Sequence, residues 1–206
     1  MPTIKTKRSN SKPQIAAIKR NRRVSVFGSF SGETTKLHQD VANVLGRKKL
    51  TIVTGGRLGP VGDVVKQATG MGAKNISVIV DPWAQQFNPN IVGKARNIVA
   101  KTNPKTGARE MYQRLATLQT GRVKAYMFLP SGAKQFSGTM LELQSIVNAF
   151  VLEPLSTKIE RRPILLIGSE WRPVRNQIRK DYAKAWPKLR RYIRVIENIS
   201  ELEKIL

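Results

Sequence analysis

Short apolar runs alternating with stretches of helical period predict an α/β chain, a single Rossmann-like three-layer domain with a mostly parallel sheet. Two observations carry the prediction. Six runs of four to seven residues, rich in β-branched and aromatic side chains, recur between Val24 and Ile196 with helix-compatible segments between them. Strands so continuously apolar are buried on both faces, the usual state of a parallel sheet covered by helices. In addition, glycine-bearing turns follow two of the runs, at Thr54 to Gly59 and at Pro130 to Thr139, where a strand would hand over to a helix.

Residues 1–23 come before the first run and hold eight basic residues and no acid. Charge repulsion, with Pro, Ser and Asn and few apolar residues, predicts a basic arm that is disordered or weakly helical, followed by one domain over 24–206. An organellar transit peptide also lacks acids and is the alternative reading. Val24 to Phe27 reads as the first strand and Leu50 to Val53 as the second, with a helix from about Glu33 to Arg47 between them. Ile76 to Val80, Val123 to Leu129, Ile164 to Ile167 and Tyr192 to Ile196 complete the set. Two helical stripes follow spacings of three and four: Met111, Leu115 and Leu118, and then Trp171, Val174, Ile178, Tyr182 and Ala185. Both are expected to face the core. Asp81 to Gly107 carries three prolines, two glycines and four asparagines. It reads as a long irregular connection with a short helix near Val92 to Ala100, the kind of segment that often serves as a lid.

Composition narrows the chemistry. The chain of 206 residues has no cysteine and one histidine, which removes disulfides, thiolate metal sites, cysteine nucleophiles and the usual zinc sets. His38 sits in a polar stretch of the first helix and is expected at the surface. No apolar run approaches the ~20 residues of a membrane span, and the N-terminus lacks an apolar signal core, so a cytoplasmic protein without a membrane partner is expected. The formal net charge is +24, from 37 Lys and Arg against 13 Asp and Glu. Nine basic residues fall between Glu170 and Arg194 against two acids, which together with the arm makes a two-ended distribution. It suits contact with nucleic-acid phosphates through the arm and residues 170–194. A solubilising role, or an adaptation to the cytosol, explains the same surplus.

Two turns are ready for an anion. After the second strand, Thr54-Gly55-Gly56-Arg57-Leu58-Gly59-Pro60-Val61-Gly62 leads into a helix-compatible run. Glycines there permit positive φ and close backbone approach, and the helix start presents N–H groups and a positive dipole end. The spacing differs from the dinucleotide fingerprint G-x-G-x-x-G. Glycines used only for packing are the plainer explanation. After the fourth strand, Leu129-Pro130-Ser131-Gly132 runs on to Gly138-Thr139, where another helix should begin beside the same crevice. Thr139-x-x-Glu142 is also the spacing of a capping box, in which the glutamate would satisfy the helix start rather than do chemistry.

These segments resemble the Lonely Guy family of phosphoribohydrolases, once labelled lysine decarboxylase-like, over about Val24 to Leu206. The resemblance rests on Val24 to Ser29, on the GG-x-x-G-x-x-G turn at Gly55 to Gly62, and on Arg114 with the segment ending Gly138-Thr139-Met140-Leu141-Glu142. It implies hydrolysis of the N-glycosidic bond of a nucleoside 5′-monophosphate, without metal or cofactor, by a homodimer; a non-catalytic nucleotide- or nucleic-acid-binding Rossmann-like protein is the alternative. Arg114 and Glu142 would be catalytic. Gly28, Ser29, Gly55, Gly56, Gly59, Gly132, Gly138 and Thr139 would hold the nucleotide and its phosphate. Arginine at the edge of an apolar stripe also snorkels over it, which is the structural alternative for Arg114. The chain departs from the family pattern in Pro130-Ser131-Gly132 for Pro-Gly-Gly, in five residues, Ala133 to Ser137, where the family has one, and in Leu115 and Leu118 after the arginine.

Overall fold

β-branched and aromatic runs form strands here because the central ones are covered from both sides. The computed structural model describes residues 22–29, 32–56, 58–80, 98–100, 118, 123–130, 137–151 and 161–206. They contain seven strands: β1 (Arg23–Phe27), β2 (Thr51–Thr54), β3 (Lys74–Val80), β4 (Ile98–Ala100), β5 (Ala125–Phe128), β6 (Ile164–Ile167) and β7 (Ile193–Ile196). One sheet runs in the order β4-β3-β2-β1-β5-β6-β7, with every neighbouring pair parallel. The helices are α1 (Lys36–Arg47), α2 (Pro60–Gly70), α3 (Ser137–Val151), α4 (Arg172–Asp181), the single turn α5 (Trp186–Leu189) and α6 (Ile199–Ile205), with a 3₁₀ turn at Ser169–Trp171.

Two apolar layers sandwich the sheet. On one face Val24, Val26, Ile52, Met127 and Leu165 pack with Val41 and Leu45 of α1, Val64 and Val65 of α2 and Leu202 of α6. On the other, Phe27, Val53, Tyr126, Phe128 and Leu166 meet Leu143, Ile146 and Phe150 of α3 and Trp171 and Ile178 beside and on α4. All four residues of β5 are fully buried, which accounts for its unbroken apolar run. Phe128 stacks on Phe27, ring centroids 4.8 Å apart, and meets Trp171 edge-on at 6.0 Å.

The stripe from Trp171 to Ala185 faces this second layer as expected, with Trp171 and Ile178 buried and Val174, Tyr182 and Ala185 packed against them. Its helix is interrupted: α4 ends at Asp181, and Tyr182 takes a non-helical conformation before the turn into α5. Of the stripe at 111–118, Leu118 is buried, and its carbonyl accepts a 2.8 Å hydrogen bond from the Ser25 hydroxyl of β1. Met111 and Leu115 lie outside the described residues, as do residues 1–21 of the basic arm. The short helix expected near Val92 to Ala100 is corrected at its end: Ile98–Ala100 is strand, paired with Val78 to Val80 at the sheet edge. Three residues are too few to show a strand period, so only the β-branched pair Ile98-Val99 could have signalled it.

Phe128→Ala removes the ring joining β1 to Trp171 and should cost ~3–5 kcal/mol. Urea unfolding measures this, and a loss below about 1 kcal/mol would mean that the site collapses to refill the space.

Candidate functional site

Strand order reverses between β1 and β5. Helices α1 and α2, which follow β1 and β2, pack on one face of the sheet, and α3 and α4, which follow β5 and β6, pack on the other. The chain thus leaves β1 and β5 in opposite directions and opens a crevice at their carboxyl ends. Leu129 N–H donates to Phe27 O at 2.8 Å, so the two strands stay paired up to its rim. Gly28 and buried Ser29 follow β1, Pro130 follows β5, and Gly55 and Gly56 follow the neighbouring β2. The fold therefore brings Gly28, Ser29, Gly55, Gly56, Gly59, Gly138 and Thr139 to one end of the sheet. Arg114 and Gly132 lie outside the described residues, as does most of the Ala133 to Ser137 insertion.

The turn after β2 is built from backbone. Gly56 N–H donates to the Thr54 hydroxyl at 3.1 Å, and Gly56 itself has φ +69°. Gly59 at the cap of α2 has φ +82° and ψ −163°, a region that only glycine enters without strain. Pro60 then occupies the first helical position, and the first intrahelical bond runs from Asp63 N–H to Gly59 O at 3.0 Å. Val61 and Gly62 N–H groups stand in the first turn, where no intrahelical acceptor exists. Gly28 serves close packing. A Cβ there would stand 2.7 Å from Val61 Cγ2 and 3.2 Å from Leu129 Cβ, so the end of β1 touches α2 and β5 through bare backbone.

Gly138 and Thr139 fall in the first turn of α3, which begins at Ser137. Thr139 is buried and Glu142, one turn on, is half-exposed. A capping box needs its threonine outside the helix in extended backbone, whereas Thr139 is already helical. Thr139 is therefore not the residue outside the helix that the Thr139-x-x-Glu142 box requires.

His38 corrects the expectation of a surface residue. It is fully buried in α1. Its Nδ1 accepts from Thr35 N–H at 3.1 Å and lies 2.8 Å from the Thr35 hydroxyl, while Nε2 donates to Pro130 O at 3.0 Å. The ring thus does what glutamate does in a capping box and also anchors α1 to the loop leaving β5. Thr35-x-x-His38 at a helix start was the legible signal; the polar neighbours hid it. Burial lowers the His38 pKa, outweighing the Pro130 carbonyl and the Glu170 and Asp63 carboxylates, which raise it. On the same rim the Thr34 hydroxyl donates to Asp63 of α2, tying the β1–α1 connection to the anion-ready turn. No group of three or more histidines and acids is placed to hold a metal ion among the described residues.

Solved structures share this fold. A molybdenum cofactor carrier protein from Chlamydomonas reinhardtii aligns with a TM-score of 0.56 at 15% identity, over 90% of this chain and 98% of that one. The molybdenum cofactor binding protein from Rippkaea orientalis aligns at 0.55 and 11%, over 90% and 95%. DNA processing protein A from Streptococcus pneumoniae aligns at 0.55 and 15%, over 91% of this chain, which spans 62% of that protein. The fold is Rossmann-like. No protein-family model matches the sequence, and no curated protein is similar to it at a significant level. No helix among the described residues is long and apolar enough to cross a membrane.

Two outcomes follow for this rim of the Rossmann-like sheet. Gly28→Ala should destabilise by ~1–3 kcal/mol, and adding Val61→Ala should cost less than the sum of the two single changes. Strict additivity in urea unfolding would show that Val61 is not the obstacle. His38 unfolds to an imidazole of pKa about 6.5, so below that pH the unfolded chain binds the extra proton. Its stabilisation is complete above pH ~6.5 and is lost as pH falls toward the depressed folded value, by at most ~1.4 kcal/mol per unit. His38 is the one histidine in the chain. Urea midpoints from about pH 8 to 5.5 should therefore fall in the native protein and stay level in His38→Gln, and a level native profile would contradict a ring held neutral.

Proposed function

We propose that the crevice between β1 and β5 binds the phosphate of a nucleoside 5′-monophosphate. The carrying observation is the turn after β2, where Gly56 and Gly59 adopt positive φ and α2 turns its start toward the strand ends. Such a helix start takes an anion through backbone N–H groups and dipole together. The first turn of α3, with Gly138 and Thr139, supplies a second helix start beside the same crevice.

The resemblance to the Lonely Guy family carries the reading further, to release of the free base. In that reaction water attacks the anomeric carbon and the carbon–nitrogen bond breaks with its electron pair leaving on the base. The base then takes up a proton, and ribose 5-phosphate is the other product. Glu142, which closes the family-like Gly138-Thr139-Met140-Leu141-Glu142 segment, would stabilise the oxocarbenium charge and accept the proton of water. Arg114 would hold the substrate. A second reading has support of its own: two of the similar structures are a carrier and a binding protein for molybdenum cofactor. On that reading the crevice of this chain holds its ligand without cutting it.

Calorimetry and a base-release assay separate the readings. Monophosphates should bind at least about 10-fold more tightly than the matching nucleosides, and Gly59→Ala should remove most of that preference. Equal affinity for nucleoside and monophosphate would refute the phosphate site. Glu142→Ala should slow base release by ~10²-fold or more while leaving monophosphate binding near native. Binding without base release from any monophosphate would favour the carrier reading, and undiminished release by Glu142→Ala would end the assignment of that residue.

A further inference from the structure

A separate groove of about 440 Å³ opens along the outer edge of β7. Arg172, Arg175 and Asn176 of α4 line one side, Arg190 the turn before the strand, Arg194 the strand itself and Glu201 of α6 the far side. Because α4 packs on one face of the sheet and α6 on the other, the groove wraps the sheet edge rather than lying on a face. It is two strands removed from β5 and independent of whatever the crevice binds.

Its charges are not balanced internally. Arg172 is forked onto Glu197, just past the end of β7, with Nη2 to Oε2 at 2.6 Å. Arg175, Arg190 and Arg194 have no carboxylate partner among the described residues, and Arg175 lies over the Trp186 ring at 5.1 Å. Grouping three such guanidinium ions around one concavity costs mutual repulsion that a bound anion would relieve. Around them the same segment exposes Arg179, Lys180, Lys184, Lys188 and Arg191. The unpaired cations run from Arg190, before β7, to Arg194 inside it, with Arg175 across the groove, a spread on the order of 10 Å that exceeds the reach of one phosphate. They call for a polyanion with repeated charges. Guanidinium forks match phosphate oxygens, and Arg175, lying over the Trp186 ring, puts an aromatic side chain beside the groove, which bases can use and an acidic peptide would leave unused.

We infer that this groove binds the phosphodiester backbone of a nucleic-acid strand. The test is fluorescence anisotropy of the full chain with a labelled single-stranded oligothymidylate of about 20 nucleotides over a salt series. Arg190→Ala/Arg194→Ala should weaken binding about 10-fold or more near 0.1 M salt and lower the log–log salt slope by about two. Lys66→Ala/Lys74→Ala removes the same charge from exposed sites elsewhere and should change affinity by less than about 3-fold. Thermal midpoints of both variants should match the native protein. Equal losses in the two variants would overturn the proposal, leaving only the general field of a basic protein. Polyglutamate of equal charge displacing the oligonucleotide as well as unlabelled oligothymidylate does would overturn it in favour of an acidic protein partner.

Discussion

Ala125, Tyr126, Met127 and Phe128 of β5 are buried without remainder, Tyr126 and Phe128 toward one helical layer and Ala125 and Met127 toward the other. That burial from two sides governs the rest of the molecule. A strand with no solvent-facing side has few places for polar function along its length, so function moves to the strand ends. A parallel arrangement puts all carboxyl ends on the same rim. Ser25, inside β1, shows what an exception requires: its hydroxyl is buried and finds the Leu118 carbonyl at 2.8 Å.

The rim in turn is made from backbone more than from side chains. Gly28 lets α2 and β5 close on the end of β1, Gly56 and Gly59 bend the chain into conformations that other residues enter only with strain, and Pro60 starts the helix without an N–H to satisfy. His38 holds the opposite wall by bridging α1 to Pro130 O. A site of this construction is already strongly shaped before a ligand arrives. On the proposed reading an anion would be held there by backbone N–H groups rather than by charged side chains. Chemistry beyond binding would then depend on few side chains; Glu142 stands in the second turn of α3.

Legibility in the sequence tracks these physical differences. Long apolar runs and the stripe from Trp171 to Ala185 were readable because burial repeats over several residues. The glycine turn after β2 was readable because positive φ has a residue signature. Ile98–Ala100 was not, since its strand character comes from pairing with β3 and not from its own period. His38 was misplaced because its burial depends on Pro130, far along the chain, a tertiary contact that polar neighbours cannot announce. Thr139 and Glu142 match a capping box in spacing, and only the helix start at Ser137 puts Thr139 inside the first turn instead of ahead of the helix.

Basic residues at a sheet edge have an ordinary explanation, because charge on an outermost strand discourages pairing with another chain. Arg194, within β7, fits that role by itself. The others do not need to be where they are for it: Arg172 and Arg175 come from a helix, Arg190 from a turn, and all three line the same concavity as Arg194. Protection of an edge is served by charges spread along it and pointing outward. Convergence into a groove raises their repulsion and is unfavourable unless something anionic enters. The arrangement around β7 is thus better explained by a ligand than by solubility, while the charge elsewhere on this +24 chain requires no such account.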